Sequence, residues 1–251
     1  MNYTKYGTDS SVIREGRCSI MKLEIIATSL EDAVIAEQGG ADRLELCSAL
    51  SEDGLTPSLG LIEAVVKGVE IPVNVIVRPH NRGFHYSKED LQVMKEDIRH
   101  IKQVGANGIV IGALTKEGTV DQEAISFLLE ESEGLEVTFH RAFDFAEDQF
   151  AALDVIATFP QIQRILTSGG TAPAPESIDQ LTNLVEKAKE KSLKILVGSG
   201  VTPETAPSII KETGAKEVHL GSGVRVGRSF LEPMDVELVA STKKSIQAFE
   251  Q

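Results

Sequence analysis

The sequence predicts an α/β protein, a (β/α)8 TIM barrel in a single domain, and three observations point to it. Eight short runs rich in Val, Ile and Leu follow one another, and their first residues lie 20 to 35 residues apart. Nearly continuous apolar runs of this length are typical of strands buried on both faces of a parallel sheet. The segments between them carry helix signals, and eight strand–helix units of this size match one closed barrel.

The predicted elements alternate from the first run onward. The runs begin at Lys22, Asp42, Val73, Gly108, Leu135, Arg164, Lys194 and Glu217. Ser29–Asp32 and Ser87–Asp90 resemble capping boxes at helix starts. Thr56-Pro57 and Thr202-Pro203 place a capping hydroxyl before a first-turn proline and predict two further helix starts. Three helices are predicted to end in a glycine that precedes a strand, at Gly40, Gly105 and Gly214.

An open, doubly wound sheet that binds a dinucleotide is the main alternative. Such a sheet carries a glycine-rich turn, GxGxxG, after its first strand. Thr28, Ser29 and Leu30 occupy that position here. The sequence therefore favours the closed barrel and predicts no nucleotide cofactor.

The charge balance narrows the possible partners. The chain has 38 acidic and 25 basic residues and a formal net charge of −13. This charge disfavours nucleic acid and anionic membranes, and no apolar run is long enough for a membrane span. A small anionic ligand stays possible, because a site can be locally positive. The two cysteines cannot form a disulfide framework, and we expect a cytoplasmic protein.

The first twenty residues differ in composition from the rest. Residues 1–20 are polar and lack the apolar segment of a secretory signal, and Met21 stands directly before the first strand-like run. We predict that residues 1–20 are a tag or a disordered arm and that the barrel domain spans residues 21–251. A native flexible arm is the alternative. Either way, Cys47 is the only thiol of the predicted domain, because Cys18 precedes it.

The carboxyl ends of the strands are where such barrels carry their chemistry. Glu24 and Glu45 lie inside apolar runs, and a buried carboxylate needs a partner. Arg78 and Arg141 are the expected partners, so the four residues form either a structural ion-pair network or an acid–base site with altered pKa values. Cys47 points to the same face of its strand as Glu45 and is either a metal ligand or a small core residue.

The fifth strand and the last two strands add further candidates. His140 and Asp144 are predicted as an acid–base pair, with a structural hydrogen bond between them as the alternative. Two turns rich in glycine and serine, Ser199-Gly200 and Ser222-Gly223, resemble a cradle for a phosphate or carboxylate, or are simply tight turns. Arg225 and Arg228 follow the second turn. His219 is predicted to line the barrel, and His80, His85 and His100 to lie in loops or on helix surfaces.

Several reaction classes lack their signature residues. Lys22 and Lys194 begin their strands, and no lysine stands at a strand's carboxyl end, which disfavours a Schiff-base aldolase. The sequence contains neither HExxH nor GxSxG.

Specific phrases in the sequence resemble those of the CutC copper homeostasis proteins. They are GGADRLELCS (39–48), TPS (56–58), VIVRP (75–79), VTFHRAFD (137–144) and ILTSGG (165–170). The resemblance covers residues 21 to about 230 and implies a cytoplasmic (β/α)8 barrel with a role in copper handling. Some members carry a second cysteine in an E-x-C phrase near the end of strand one, but Ile26 and Ala27 stand there here. A site with two thiolates in one subunit is therefore not expected.

Two functions follow as hypotheses. The first is a copper-homeostasis protein that binds copper weakly through Cys47 or acts indirectly. The second is a barrel enzyme that acts on a small phosphorylated or carboxylated substrate, with its pocket formed by the candidate residues named above. In either case we expect the protein to be a homo-oligomer.

Overall fold

The computed structural model describes residues 21–250, in which eight parallel strands close into a barrel in sequence order. The strands are β1 (Lys22–Ala27), β2 (Arg43–Leu46), β3 (Val73–Ile76), β4 (Gly108–Ile111), β5 (Glu136–Phe139), β6 (Ile162–Thr167), β7 (Lys194–Val197) and β8 (Glu217–Leu220). The (β/α)8 prediction is confirmed, and each predicted run overlaps one strand, although β6 begins two residues before the predicted Arg164. The predicted N-terminal arm, residues 1–20, lies outside the described residues.

Each strand is followed by a helix that packs outside the barrel. The helices are α1 (Leu30–Gln38), α2 (Leu59–Gly68), α3 (Lys88–Val104), α4 (Gln122–Leu129), α5 (Gln149–Ile156), α6 (Ile178–Glu190), α7 (Ala206–Thr213) and α8 (Val236–Gln247). Apolar strand residues such as Leu23 and Ile25 join helix residues such as Ile98 and Leu184 in one buried core. None of the helices between residues 21 and 250 is long and apolar enough to cross a membrane.

The helix boundaries follow the capping signals in most places. Ser29 accepts a hydrogen bond from the Asp32 amide at 3.0 Å, and Ser87 forms a complete capping box with Asp90. Gly105 ends α3 in the left-handed conformation that glycine adopts readily.

The two Thr-Pro predictions were wrong. Helix α2 begins only at Leu59, where Ser58 caps it, and α7 begins at Ala206. The Thr202 hydroxyl caps a turn that precedes α7, because it accepts from the Thr205 amide at 3.3 Å.

A network of buried charges fills the lower part of the barrel, near the amino ends of the strands. Arg43 pairs with Glu24, its neighbour on β1, and its Nη2 lies 2.8 Å from Oε2 of Glu217 on β8. Arg164 on β6 lies 3.2 Å from the same Glu217 oxygen and 2.7 Å from Glu136 on β5. We call these five residues the floor network. It joins five of the eight strands through their side chains.

This network corrects the expected pairing of Glu24 and Glu45 with Arg78 and Arg141. Glu24 lies in the middle of β1, directly beside the first residue of β2, so Arg43 is the arginine within its reach. Arg78 and Arg141 follow the ends of their strands, one level above the floor network.

Removing Arg43 should strongly destabilise the barrel. Arg43→Ala leaves Glu24 and Glu217 buried without a cation, and breaking a buried pair in this way costs about 3–5 kcal/mol. Denaturant unfolding measures the change. Arg99→Ala is the matched control, because Arg99 pairs with Glu96 and Glu131 on the exposed surface, and it should unfold close to the wild-type midpoint. Equal midpoints for the two variants would contradict the role given to the floor network.

Candidate functional site

A cavity of about 680 Å³ opens where the carboxyl ends of the strands meet. Nine of the residues singled out from the sequence line it: Glu45, Cys47, Arg78, His140, Arg141, Ser199, Gly200, Ser222 and Gly223. Glu24 and Asp144, the other two, lie behind its walls. The barrel thus brings together residues from β2, β3, β5, β7 and β8, or from the loops that follow them.

Glu24 lies beneath the cavity and is fully paired. Its Oε1 is 2.7 Å from Nδ1 of His219, and its other oxygen accepts from Arg43. Burial alone would raise the pKa of Glu24, but Arg43 and His219 together hold it well below the usual range. Glu24 therefore stays ionised and holds its two partners in place, which makes it a poor proton acceptor near neutral pH.

Glu45 has the opposite surroundings. It is buried on the cavity wall, and its Oε2 has no hydrogen-bond partner among the described residues. Burial, helped by repulsion from Glu24 and opposed by His219 and Arg43, raises the pKa of Glu45 from 4.5 to about 7. A carboxyl group in this state can give or take a proton near neutral pH.

His219 lines both the barrel and the cavity. Burial lowers its pKa, but the hydrogen bond to Glu24 and the charge of Glu45 outweigh this effect, and the net shift is upward. Atoms of Glu24, Glu45 and His219 that could each ligate a metal all lie within 4.8 Å of one another. Two carboxylates and an imidazole are donors that suit several divalent cations.

Cys47 follows β2 on the same wall as Glu45. It is almost completely buried and packs against Ile76 and Val110. Burial, with a contribution from the charge of Glu45, raises the pKa of the thiol well above its usual value. Cys47 is therefore both a packed core residue and a protonated thiol on the cavity wall.

His140 contacts neither Asp144 nor another carboxylate in the described part of the chain. Its Nδ1 accepts a hydrogen bond from the Ala142 amide at 3.1 Å, so the ring proton lies on Nε2. Burial and the nearby charge of Arg78 lower the pKa of His140 to about 3. A histidine held neutral in this way acts as a hydrogen-bond donor, and this environment does not favour the proton exchange expected from the sequence.

Asp144 lies behind the wall and holds Arg141. It accepts from Nε of Arg141 at 2.8 Å, from the hydroxyl of Thr167, and from the amide and hydroxyl of Ser168. With its oxygens bound in this way, Asp144 positions Arg141, which is a different role from the acid–base function predicted for it.

The two glycine–serine turns approach each other at the cavity. A Cβ atom on Gly223 would lie 2.3 Å from the carbonyl oxygen of Val201, so only glycine allows this contact. Ser199 and Gly200 both have positive φ angles, near 70°.

The two arginines near the second turn are already paired. Arg225 is bound to Asp32, and Arg228 reaches Glu204 at the surface. Neither arginine lines the cavity, so the arginines that line it are Arg78 and Arg141, and Arg141 is paired with Asp144.

Sequence reasoning overlooked two kinds of residue at this site. Arg43 and Arg164 are charged residues in apolar runs, the same signal that identified Glu24, but each stands at or near the start of its run, where a charged residue is ordinary. Phe84 lies in a loop before α3, and no local pattern marks it.

The protonation of Glu45 should appear in the pH dependence of stability. Its pKa in the folded protein, about 7, exceeds the usual 4.5, so it stabilises the fold most below pH 4.5, and this contribution is lost as pH rises to about 7. Glu45→Gln should remove this loss. Urea unfolding of both proteins from pH 4.5 to 8 measures the difference. Glu63→Gln, at an exposed position beside Lys67, is the control. A constant difference between wild type and Glu45→Gln across this range would show that Glu45 titrates normally.

Known proteins share this sequence and fold. The CutC family model matches residues 21–224. The copper homeostasis protein cutC homolog of Homo sapiens is 43% identical over 82% of this chain and 75% of its own. The family protein CutC of Pasteurella multocida is 41% identical over 82% of this chain and 84% of its own. The crystal structure of CutC from Streptococcus agalactiae superposes with a TM-score of 0.75 at 35% identity, covering 80% of this chain and 98% of that one. The chain therefore belongs to the CutC family.

Proposed function

We propose that this protein functions in copper homeostasis and that copper binds to it in the cavity at the carboxyl ends of the strands. The relative from Homo sapiens and the solved structure from Streptococcus agalactiae both carry copper homeostasis in their names. The observation that carries the proposal is the wall formed by Glu45, Cys47 and His219. It combines a thiol with carboxylate and imidazole donors on one cavity.

The chemistry of this wall sets the expected affinity. Copper(I) prefers several sulfur ligands, and Cys47 is the only cysteine among the described residues. Copper must also displace the proton that burial holds on the thiol. The carboxylate and imidazole groups are better suited to copper(II). We therefore infer weak copper(I) binding that depends on Cys47, as the sequence alone had suggested.

Titration of the protein against a copper(I) chelator tests this function. We expect weak binding that is lost in Cys47→Ser and strengthens by about tenfold for each pH unit between pH 6 and 8, because one thiol proton is released. Cys18→Ser is the control for the remaining cysteine and should bind as wild type does. Stoichiometric binding tighter than nanomolar that survives Cys47→Ser would contradict the proposed ligand.

We also propose that the protein is cytoplasmic and forms a homo-oligomer. A cytoplasmic protein of this family would meet copper under reducing conditions, which keep Cys47 as a free thiol. Phe145, Phe230 and Leu231 expose apolar surface, which a homo-oligomer would cover in part. Sedimentation velocity at micromolar concentration should show a species larger than 27.1 kDa. A single monomer peak would contradict this part of the proposal.

A further inference from the structure

Arg78 differs from every other buried arginine in the described residues. Arg43, Arg164 and Arg225 are buried, and each forms an ion pair with at least one carboxylate. Arg78 is only 4% exposed and forms an ion pair with none. Burying a cation without an anion costs free energy. Arg78 lacks a carboxylate partner although the chain has 38 acidic residues.

The contacts of Arg78 hold the guanidinium in place but leave its charge unbalanced. Its Nη1 donates to the carbonyl oxygens of Glu52 at 2.9 Å and Gly54 at 3.1 Å. Its guanidinium carbon lies 4.9 Å from the centre of the Phe84 ring. Its Nε is buried without a hydrogen-bond partner of good geometry in the described part of the chain, and the Tyr86 hydroxyl lies within reach of the guanidinium. The Arg78 side chain is thus fixed at the cavity wall, and its guanidinium can still donate hydrogen bonds to a ligand.

His140 provides a second unused donor on the same wall. Its ring centre lies 5.2 Å from that of Phe84, so Phe84 contacts both Arg78 and His140. Its protonated Nε2 is buried and, within residues 21–250, has no acceptor. A cation and a neutral N–H donor side by side form a pattern that binds an oxyanion.

The rest of the cavity supplies complementary groups. Oε2 of Glu45 is buried without a partner, and it can accept a hydrogen bond from a hydroxyl group. Ser199, Gly200, Ser222 and Gly223 line the cavity as well. Unsatisfied buried polar atoms are rare in folded proteins, and here three of them meet on one cavity.

The size of the cavity favours an organic ligand over a single metal ion. Its volume of about 680 Å³ lies within the range of roughly 300–1,000 Å³ typical of small-molecule sites. A single copper ion on the Glu45–Cys47–His219 wall would leave most of this space, and the whole Arg78–Phe84–His140 wall, without a function.

We propose that the cavity is a binding site for a small hydroxylated organic anion, a phosphate ester or a carboxylate. Its anionic group lies against Arg78 and His140, and a hydroxyl group donates to Glu45. This proposal does not rest on the copper proposal, because its anionic group lies against Arg78 and His140. Glu45 is the residue that the two proposed sites share.

Calorimetric titration of the full chain, freed of metal with a chelator, tests the proposal. The probes are ribose 5-phosphate, gluconate and, as the uncharged reference, ribose. We expect at least one of the anions to bind at least tenfold more tightly than ribose, and the better anion identifies the group that the site prefers. Arg78→Gln should weaken that binding by about tenfold to hundredfold, because a charge-assisted hydrogen bond is lost.

Matched variants and a second measurement keep the outcome clear. Arg228→Gln removes a surface arginine and should bind as wild type does, and Cys47→Ser should also keep anion binding even if copper binding is lost. If Arg78→Gln does not fold, nitrogen NMR of His140 in the wild-type protein decides, and its Nε2 resonance should shift when the better anion is added. The proposal is overturned if neither anion binds more tightly than ribose, if folded Arg78→Gln binds the anion as wild type does, or if the Nε2 resonance does not move.

Discussion

The ion pair between Glu24 and Arg43 is the interaction on which the rest of the site depends. It lies on neighbouring strands at the base of the barrel, and through Glu217 and Arg164 it reaches across to β8 and β6. Because these charges are buried, each needs a partner, and the residues of the floor network pair with one another. Glu24 also holds His219. The network therefore decides which polar side chains are left free one level above, where the cavity begins.

The difference between paired and unpaired groups separates structure from function in this barrel. Below the cavity, Glu24 accepts from both Arg43 and His219. Glu45, which lies on β2 two residues beyond Arg43, keeps an oxygen without a partner in the described part of the chain. The same contrast holds for the arginines, since Arg164 is paired and Arg78 is not. Buried atoms without a partner also occur away from the cavity, for example Nε of Arg164, so what sets Glu45, Arg78 and His140 apart is that all three line one cavity where a ligand can reach them.

The sequence predicts the architecture better than it predicts these partners. Apolar runs and capping residues report local periodicity, and local periodicity is enough to count eight strands and to find where they end. Partner choice depends on the register between strands, which places Arg43 beside Glu24 and leaves Arg78 one level higher. The tautomer of His140 depends on the Ala142 amide in the short turn after β5. Neither the register nor that turn is visible in the spacing of the residues.

The two walls of the cavity give its two proposed roles separate physical bases. Glu45, Cys47 and His219 offer metal donors, and they lie close to the negative charge of Glu24. Arg78 and His140 offer hydrogen-bond donors around Phe84, and burial together with the positive charge of Arg78 lowers the pKa of His140 and keeps it neutral. A cation is attracted to the first wall and an anion to the second. Glu45 belongs to both proposed sites, so substitutions of Arg78 and of Cys47, which each belong to one site, are the ones that separate the two roles.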